Sequence, residues 1–473
     1  MKKLPKLAAL AAISALAVAG CGSNPAPAPE ASGGSASASS AAVNIPAPQV
    51  TCDVPAANLD GSTVDTSNPE GSITFMTQGL KGTFDDYFTK LIADFEAANP
   101  GTKIEWTDQG GSDDFDTLMV TQAGNCSMAD VVNVPSSTLL ALSKGNFLLN
   151  LDVKMPGVGE KFVPNVWNSI ALGADDAHTA MPWYFGPFIS TYNKTVFEAA
   201  GLDPEKAPAT MEEYFDFAKQ ITEKTDYYAI YGNTSWYMVP QWRSYGVELM
   251  NKDQTEFTFA QDAQALKWLT NMADLYKTGG IPTDSITGDL DMSKAYGEGN
   301  LAFGTPNASF LRNVAQNAPE VFKVTGVGVE PNNEGINPMF NGQFIGVSVT
   351  SENTPLAAKW AEYVTNAANG LAWAEYGIKT ETAVVFPVTT EALNDPALVA
   401  GDATDPFIKA RIASAEGAKS AEAYLPMFYV TGAVRTALVD NVNQAIAGQI
   451  EPQVALDTAQ EEMNTLLDRL LNG

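Results

Sequence analysis

Apolar and polar positions first fall into register at Ser72-Ile73-Thr74-Phe75-Met76, which predicts a short strand. After a loop through Gln78, Gly79 and Gly82, apolar residues recur every three to four positions at Phe84, Tyr87/Phe88, Leu91/Ile92 and Phe95. That period predicts an amphipathic helix, with Thr83 as N-cap and Asp86 three residues on. Asn99-Pro100-Gly101 breaks the chain before a second strand at Lys103-Ile104-Glu105-Trp106. Strand, helix, strand is the unit from which doubly wound sheets are built. It continues with a helix near Phe115 to Ala123 and a buried strand at Val131-Val132-Asn133-Val134. Further along, helices are predicted from about Met211 to Thr222 and Ala260 to Tyr276, then an apolar strand from Ile345 to Val349. Pro355 opens another helix behind Thr354, with Leu356, Trp360, Tyr363 and Val364 on its apolar side. Leu456, Ala459, Met463, Leu466/Leu467 and Leu470 form a terminal helix stripe. No internal repeat and no coiled coil emerge.

The pattern changes at the amino terminus. Lys2, Lys3 and Lys6 precede an apolar run from Leu7 to Ala19, too short for a mature spanning helix, which needs about 20 residues. It has the length and flanks of an export signal. Its end, Leu16-Ala17-Val18-Ala19-Gly20-Cys21, resembles a bacterial lipobox, which implies a signal peptide over 1–20 and a lipidated Cys21. A single acyl chain binds membranes only marginally, which is why such anchors carry two or more. Residues 22 to 50 are mostly Gly, Ser, Ala, Pro and Asn, with Glu30 their only charge, and lack the apolar area to offset ordering. A tether over 21–69 is therefore expected, with a folded body from about residue 70.

That body, of roughly 400 residues, exceeds what a single core usually organises, so two domains are expected. The chain carries 27 basic and 55 acidic residues, a formal charge of -28. Such a surface repels nucleic acid and anionic lipid, leaving the lipid anchor as the membrane contact. With Cys21 reserved for lipid, Cys52 and Cys126 remain. An exported compartment permits them to pair, and two free buried thiols are the alternative. The only histidine is His178 and there is no Cys-x-x-Cys, so a zinc site of His and Cys is excluded, and no cofactor is implied.

Several blocks in order resemble family 1 of the extracellular solute-binding proteins of ABC importers, the group that includes maltose-binding protein. They are Ala129-Asp130-Val131-Val132 with Gly145 to Leu151, Met181-Pro182-Trp183-Tyr184, Thr191-Tyr192-Asn193-Lys194, and Ala199 to Leu202. Gly299 to Gly304, Gly342 to Val349 and Ala433 to Leu438 complete the set. The resemblance implies an α/β, two-lobed periplasmic-binding-protein-like fold, each lobe a mostly parallel sheet flanked by helices, with the ligand cleft between lobes. Lobe one would be 70–184 and 328–386, and lobe two 188–327 and 388–473. Hinge crossings would fall near 185–187, 327 and 386–387. The implied partners are a mono- or oligosaccharide and the permease subunits of the importer, with the protein acting as a monomer.

Bulky aromatics in loop-like stretches suggest the binding surface. Trp183, Tyr184 and Phe185 are bracketed by prolines, and Trp236, Tyr237, Trp242 and Tyr245 surround Pro240. Flat rings cover the apolar face of a sugar while polar side chains take its hydroxyls. By resemblance, Trp236 and Tyr237 align with the aromatic pair that stacks on sugar in maltose-binding protein. Lys81 resembles a polar contact there, beside Gln78 in the same loop. Asp113 and Asp114 are candidate hydroxyl acceptors. Asn307, Phe340, Asn341 and Tyr429 complete the ligand-binding set. The chain departs from that protein at Val134, at Thr305-Pro306-Asn307-Ala308 and near Thr431, which argues against maltodextrin.

Two other classes compete. A non-sugar solute such as a peptide remains compatible with the same fold, and Lys81 or Arg243 could favour an anion locally. An exported glycan-active enzyme could work with paired carboxylates. No Gly-x-Ser-x-Gly, His-Glu-x-x-His or Walker loop occurs, and His178 lies in a polar stretch that reads as an exposed turn.

Overall fold

The alternation at residues 71–78 does become a strand, and its buried residues Ile73 and Phe75 seed the first of two large cores. The computed structural model describes residues 45–472 apart from 112–114, 233–236, 288–289, 334, 336, 339 and 381–384. Every element named here lies within one compact unit that ends at Gly473. Its strands are, in chain order, β1 (Gly71–Gln78), β2 (Thr102–Gln109), β3 (Val131–Pro135), β4 (Ala180–Gly186) and β5 (Ile189–Asn193). There follow β6 (Thr325–Val329), β7 (Asn337–Pro338), β8 (Phe340–Val347), β9 (Phe386–Pro387) and β10 (Ala421–Glu422).

The first lobe is a sheet in the order β2-β1-β3-β8-β4-β9. β2 and β3 run parallel to β1, and β8 then turns the sheet antiparallel to β3 and β4. The pairing is therefore mixed. The helix Lys81–Ala98 buries Phe84, Phe88, Leu91, Ile92 and Phe95, the stripe read from spacing. Trp183, Trp360 and Trp373 fill the core beside Phe75 and Phe88.

The second lobe is centred on the antiparallel pair β5 and β6. Backbone bonds extend it, from Asn193 N–H to Ala302 at 2.8 Å and from Ala302 N–H to Tyr228 at 2.9 Å. Around it Trp242, Trp268, Leu438, Leu456 and Met463 form the second core. The terminal helix Pro452–Asn472 places Leu456, Ala459, Met463 and Leu467 inward, as its period requires.

The chain leaves the first sheet at Gly186 and enters the second at Ile189, so one crossing is Pro187-Phe188. The return comes after Val329, because β6 stays paired to Ile189 up to that residue. The third boundary differs more. β9 pairs with β4, and Val388, Leu393 and Leu398 still belong to the first core. The helix Pro406–Ala418 touches both sides: Ala415 and Ala418 join the first core, while Ala410 and Ala413 pack with Ile189 and Leu311.

Two expectations need correction. Residues 45–69 are not a free tether. Gln49 N–H bonds to Gly145, Thr51 N–H to Gly124, and the Asn58 side chain donates to Val349 and Ser351. A disulfide joins Cys52 to Cys126. Composition could not reveal this, because the strap is held largely by polar bonds to the body and by the disulfide, with Val50 and Val64 packing on the first core. Thr83 does not cap its helix either. The helix starts at Lys81 with a kink at Phe84, and a carboxylate from β2 does the capping.

Candidate functional site

In open α/β sheets ligands bind outside the carboxyl ends of the parallel strands, where side chains from adjacent loops converge. Here those ends are Gln78 of β1, Asp108 and Gln109 of β2, and Asn133 to Pro135 of β3. Asp108 organises this edge. Its carboxylate accepts from Leu80 N–H at 3.0 Å, Lys81 N–H at 3.2 Å and the Thr77 hydroxyl at 2.6 Å. Thr77 in turn accepts from the Trp106 indole N–H at 2.9 Å. A negative charge at a helix start is stabilised by the unpaired N–H groups there. The network fixes where the 81–98 helix begins and sets the Lys81 ammonium 4.8 Å from the centre of the Trp106 ring.

A second chain of bonds crosses the sheet. Gln78 N–H donates to the Asn133 side chain at 3.0 Å, and Asn133 donates to Gln343 at 2.7 Å. The Gln78 amide itself lies beside Gly111. Tyr184, half-buried, pairs with Gln343 across β4 and β8. Burial raises its hydroxyl pKa, and the nearby Asp108 charge adds to the rise.

The neighbouring Trp183 does something else. It is 3% exposed, donates to Val364 at 3.1 Å and packs on Trp373 at 4.8 Å. It is a core residue and not part of a sugar platform. Trp242 is likewise enclosed at 1% exposure, between Phe259 and Trp268. A strand and a helix, not loops, carry these two rings, so the inference from loop aromatics does not apply to them.

On the second lobe Tyr237 stands at the start of the helix Met238–Tyr245. It lies within electrostatic reach of Glu330, as does Tyr214. Burial raises both phenol pKa values well above the ordinary range. Gln241 accepts from the Trp268 indole at 2.9 Å and helps hold this wall. Asn307 uses its side-chain oxygen to cap the helix Ala308–Asn317, accepting from Phe310 N–H at 2.9 Å. Tyr429 is half-buried at the edge of the second core. Phe340 and Asn341 lie in β8 by their backbone, with side chains outside the description. Cys21, Asp113, Asp114 and Trp236 lie outside the described residues.

Arg243, a candidate for anion binding, is already committed. Its guanidinium donates to Glu422 at 2.8 Å and Glu248 at 2.7 Å and lies over Tyr424. His178 is not an exposed turn residue. It stacks on Trp167 at 4.0 Å and bonds to Asp152 at 3.0 Å, remote from the carboxyl edge of the sheet. Sequence reasoning did not single out Asp108 and Gln343, whose side-chain bonds organise this edge of the sheet.

The family model of bacterial extracellular solute-binding proteins matches residues 81–371, more than half of the chain. This chain belongs to that family. Among curated relatives of this solute-binding protein is the sn-glycerol-3-phosphate-binding periplasmic protein UgpB of Salmonella paratyphi A. It is 24% identical over 416 residues, covering 82% of this chain and 91% of the relative. The diacetylchitobiose binding protein DasA of Streptomyces coelicolor is 26% identical over 193 residues, 40% of this chain and 41% of its own length. Among solved structures, the cyclic alpha-maltosyl-1,6-maltose binding protein of Arthrobacter globiformis superposes with a TM-score of 0.66 at 18% identity, covering 84% of this chain and 99% of that one. The substrate-binding protein Lmo0181 of Listeria monocytogenes, solved with cycloalternan, gives 0.61 at 21%, with 84% and 99% covered. These likenesses establish the two-lobed fold. Among the described residues no helix is long and apolar enough to cross a membrane.

Proposed function

We propose that this solute-binding protein captures a sugar or oligosaccharide between its lobes and delivers it to an ABC permease. In this reading it works as a monomer outside the cytoplasmic membrane, anchored by lipid on Cys21. The observation that carries the proposal is the polar carboxyl edge of the first sheet, where Gln78, Gln343 and the half-buried phenol of Tyr184 gather. Amides and phenols satisfy hydroxyls in plane, and rings cover apolar sugar faces. The sugars in the names of DasA and the two structural relatives support the same class. A phosphorylated ligand, as the name of UgpB suggests, finds less support, since Arg243 is engaged by two carboxylates. Chemistry on the ligand finds no support either, because Asp108 is spent on capping and His178 on Asp152.

Calorimetric titration against a glycan panel, with small-angle scattering of the empty and saturated protein, tests the reading. A neutral or amino sugar is expected to bind and to reduce the radius of gyration, because only the closed state makes contacts from both lobes. Binding of short peptides with no response to any glycan overturns it.

A further inference from the structure

A groove of about 600 Å³ opens on the second lobe. That volume falls within the roughly 300–1,000 Å³ of ordinary small-molecule sites. Three pieces of chain build it. They are the end of the helix Ala263–Lys277, the turn Thr283–Ser285 with the two residues after it, and the latter half of the helix Gly432–Ile446. On that last helix Leu438, Val442, Ala445 and Ile446 turn into the second core. The stripe beside them recurs every four residues, at Val439, Asn443 and, just past the helix end, Ala447, and it lines the groove.

The chemistry of the groove is graded. Ile286 is buried, and Tyr276, Val439 and Asn443 are half-buried, so these residues make its floor. Thr283, Gln444 and Gln449 are exposed around it. Its polar groups are uncommitted. Among the described residues the side chains of Asn443, Gln449 and Thr283 and the hydroxyl of Tyr276 make no hydrogen bond within the protein. Gln444 spends only its N–H, on the Asp440 carbonyl at 3.3 Å. A half-buried amide needs partners, and Asn443 can take them only from the groove side. No lysine, arginine or histidine is among the described lining residues, so an anion finds no counter-charge there. Asp440, the one carboxylate among them, is exposed, and a solvated charge attracts a cation only weakly. Amides and hydroxyls around a ring and aliphatic side chains suit a molecule with hydroxyls at its rim and C–H groups on its faces.

We propose that this groove is a second saccharide site, carried whole by the second lobe. A neutral sugar unit lies on the floor of Tyr276, Ile286 and Val439, and Asn443 and Gln449 bond its hydroxyls. Tyr429, the candidate ligand residue nearest in sequence, precedes the first turn of the helix Gly432–Ile446, whereas Asn443 stands about 16 Å along it from Gly432 at 1.5 Å per residue. The first lobe contributes nothing to the groove, so its occupation is independent of hinge closure. The proposal does not rest on the cleft reading, because it shares no residue with it.

The Ile286 methyl reports occupation of the groove. Methyl spectra of the mature protein, with the signal assigned through Ile286→Val, are recorded against maltotriose, cellotriose and N,N′-diacetylchitobiose. Small-angle scattering of the same samples follows closure of the lobes, and thermal melts verify that each variant is folded. At least one sugar is expected to shift the Ile286 methyl saturably. Asn443→Leu should weaken that response by roughly tenfold, as loss of a polar contact does. Ala447→Tyr, which fills the groove, should abolish it, and the radius of gyration should respond alike in all three proteins. A methyl that stays still at millimolar excess of every sugar overturns the site, whatever the scattering shows. A shift undiminished in both variants overturns it too, by placing the sugar elsewhere. A shift without compaction upholds the groove and counts against the cleft. If Trp236→Ala removes the methyl shift and the compaction together, the two are one site, and the proposal falls while the cleft reading stands.

Discussion

The ammonium of Lys154 sits 2.8 Å from the carboxylate of Asp60, with its side chain fully buried and that of Asp60 more than half exposed. The same ammonium donates to the carbonyls of Ala57 and, at 3.0 Å, Ser62. One lysine of the first lobe thus gathers three acceptors from the amino-terminal strap. Lys154→Ala should cost about 2–4 kcal/mol, since it removes a fully buried side chain together with the three bonds by which it holds the strap. Asp60→Asn should cost much less, because its carboxylate is solvated. Equal small losses in denaturant melts of the two variants would falsify this account of the strap.

The disulfide clamps the same strap 74 residues apart, from Cys52 to Cys126. Chain-entropy reasoning puts its contribution at about 4 kcal/mol for a loop of that length. The double variant with both cysteines changed to serine is expected to unfold at lower denaturant with an unchanged sheet. Labelling of two free thiols in the unreduced, unfolded protein is the result that removes the bridge.

Glu330 should make stability depend on pH in an unusual direction. Its carboxyl titrates near 8 when folded and at about 4.3 when unfolded. Between those values the native state holds a proton that the unfolded chain has lost, so stability falls as pH rises through that window. Below it the contribution is flat. Glu330→Gln should remove the slope, and its melting temperature should exceed that of wild type by a margin that widens toward pH 8. Parallel melting curves for the two proteins from pH 5 to 8 would refute the burial of this acid.

Two tryptophans should separate stability from affinity. Trp183→Ala is expected to cost about 3–5 kcal/mol, as for other large core rings, because it empties a site lined by Phe75, Phe88 and Trp373. Trp236, assigned to the ligand by resemblance, should instead lose about 2 kcal/mol of binding on truncation to Ala, roughly thirtyfold. The measurements are a denaturant melt and a sugar titration of each variant. A reversed pattern exchanges the two roles.

Cys21→Ser should release the protein from membranes and leave its fold unchanged. Mass spectrometry of the mature wild-type protein is expected to find acyl chains on Cys21, and an unmodified terminus disproves the anchor.

Periodicity alone was enough to place the helix that buries Phe84 to Phe95, the strand at Ile73 and Phe75, and the terminal stripe from Leu456 to Leu467. Those elements are legible because burial of one face must repeat with the period of the backbone that carries it. Order of blocks along the chain was enough for the family and the two lobes. What only the tertiary structure decided is which polar and aromatic groups face one another. Trp183 and Tyr184 are adjacent in sequence, yet one is sealed in the core and the other comes near Asp108. Asp108 caps a helix whose first turn is reached through Leu80, 28 residues before it, a role that Thr83 fits locally. Lys154 and Asn58 reach across about 100 and 300 positions to hold a strap whose composition suggests disorder. A hydrogen bond depends on distance and direction between two particular atoms, and neither is written in the spacing of residues along a chain. Glu330 is the sharpest case: an acid in sequence is ordinarily solvated, and only the tertiary structure encloses it and lifts its carboxyl pKa to about 8.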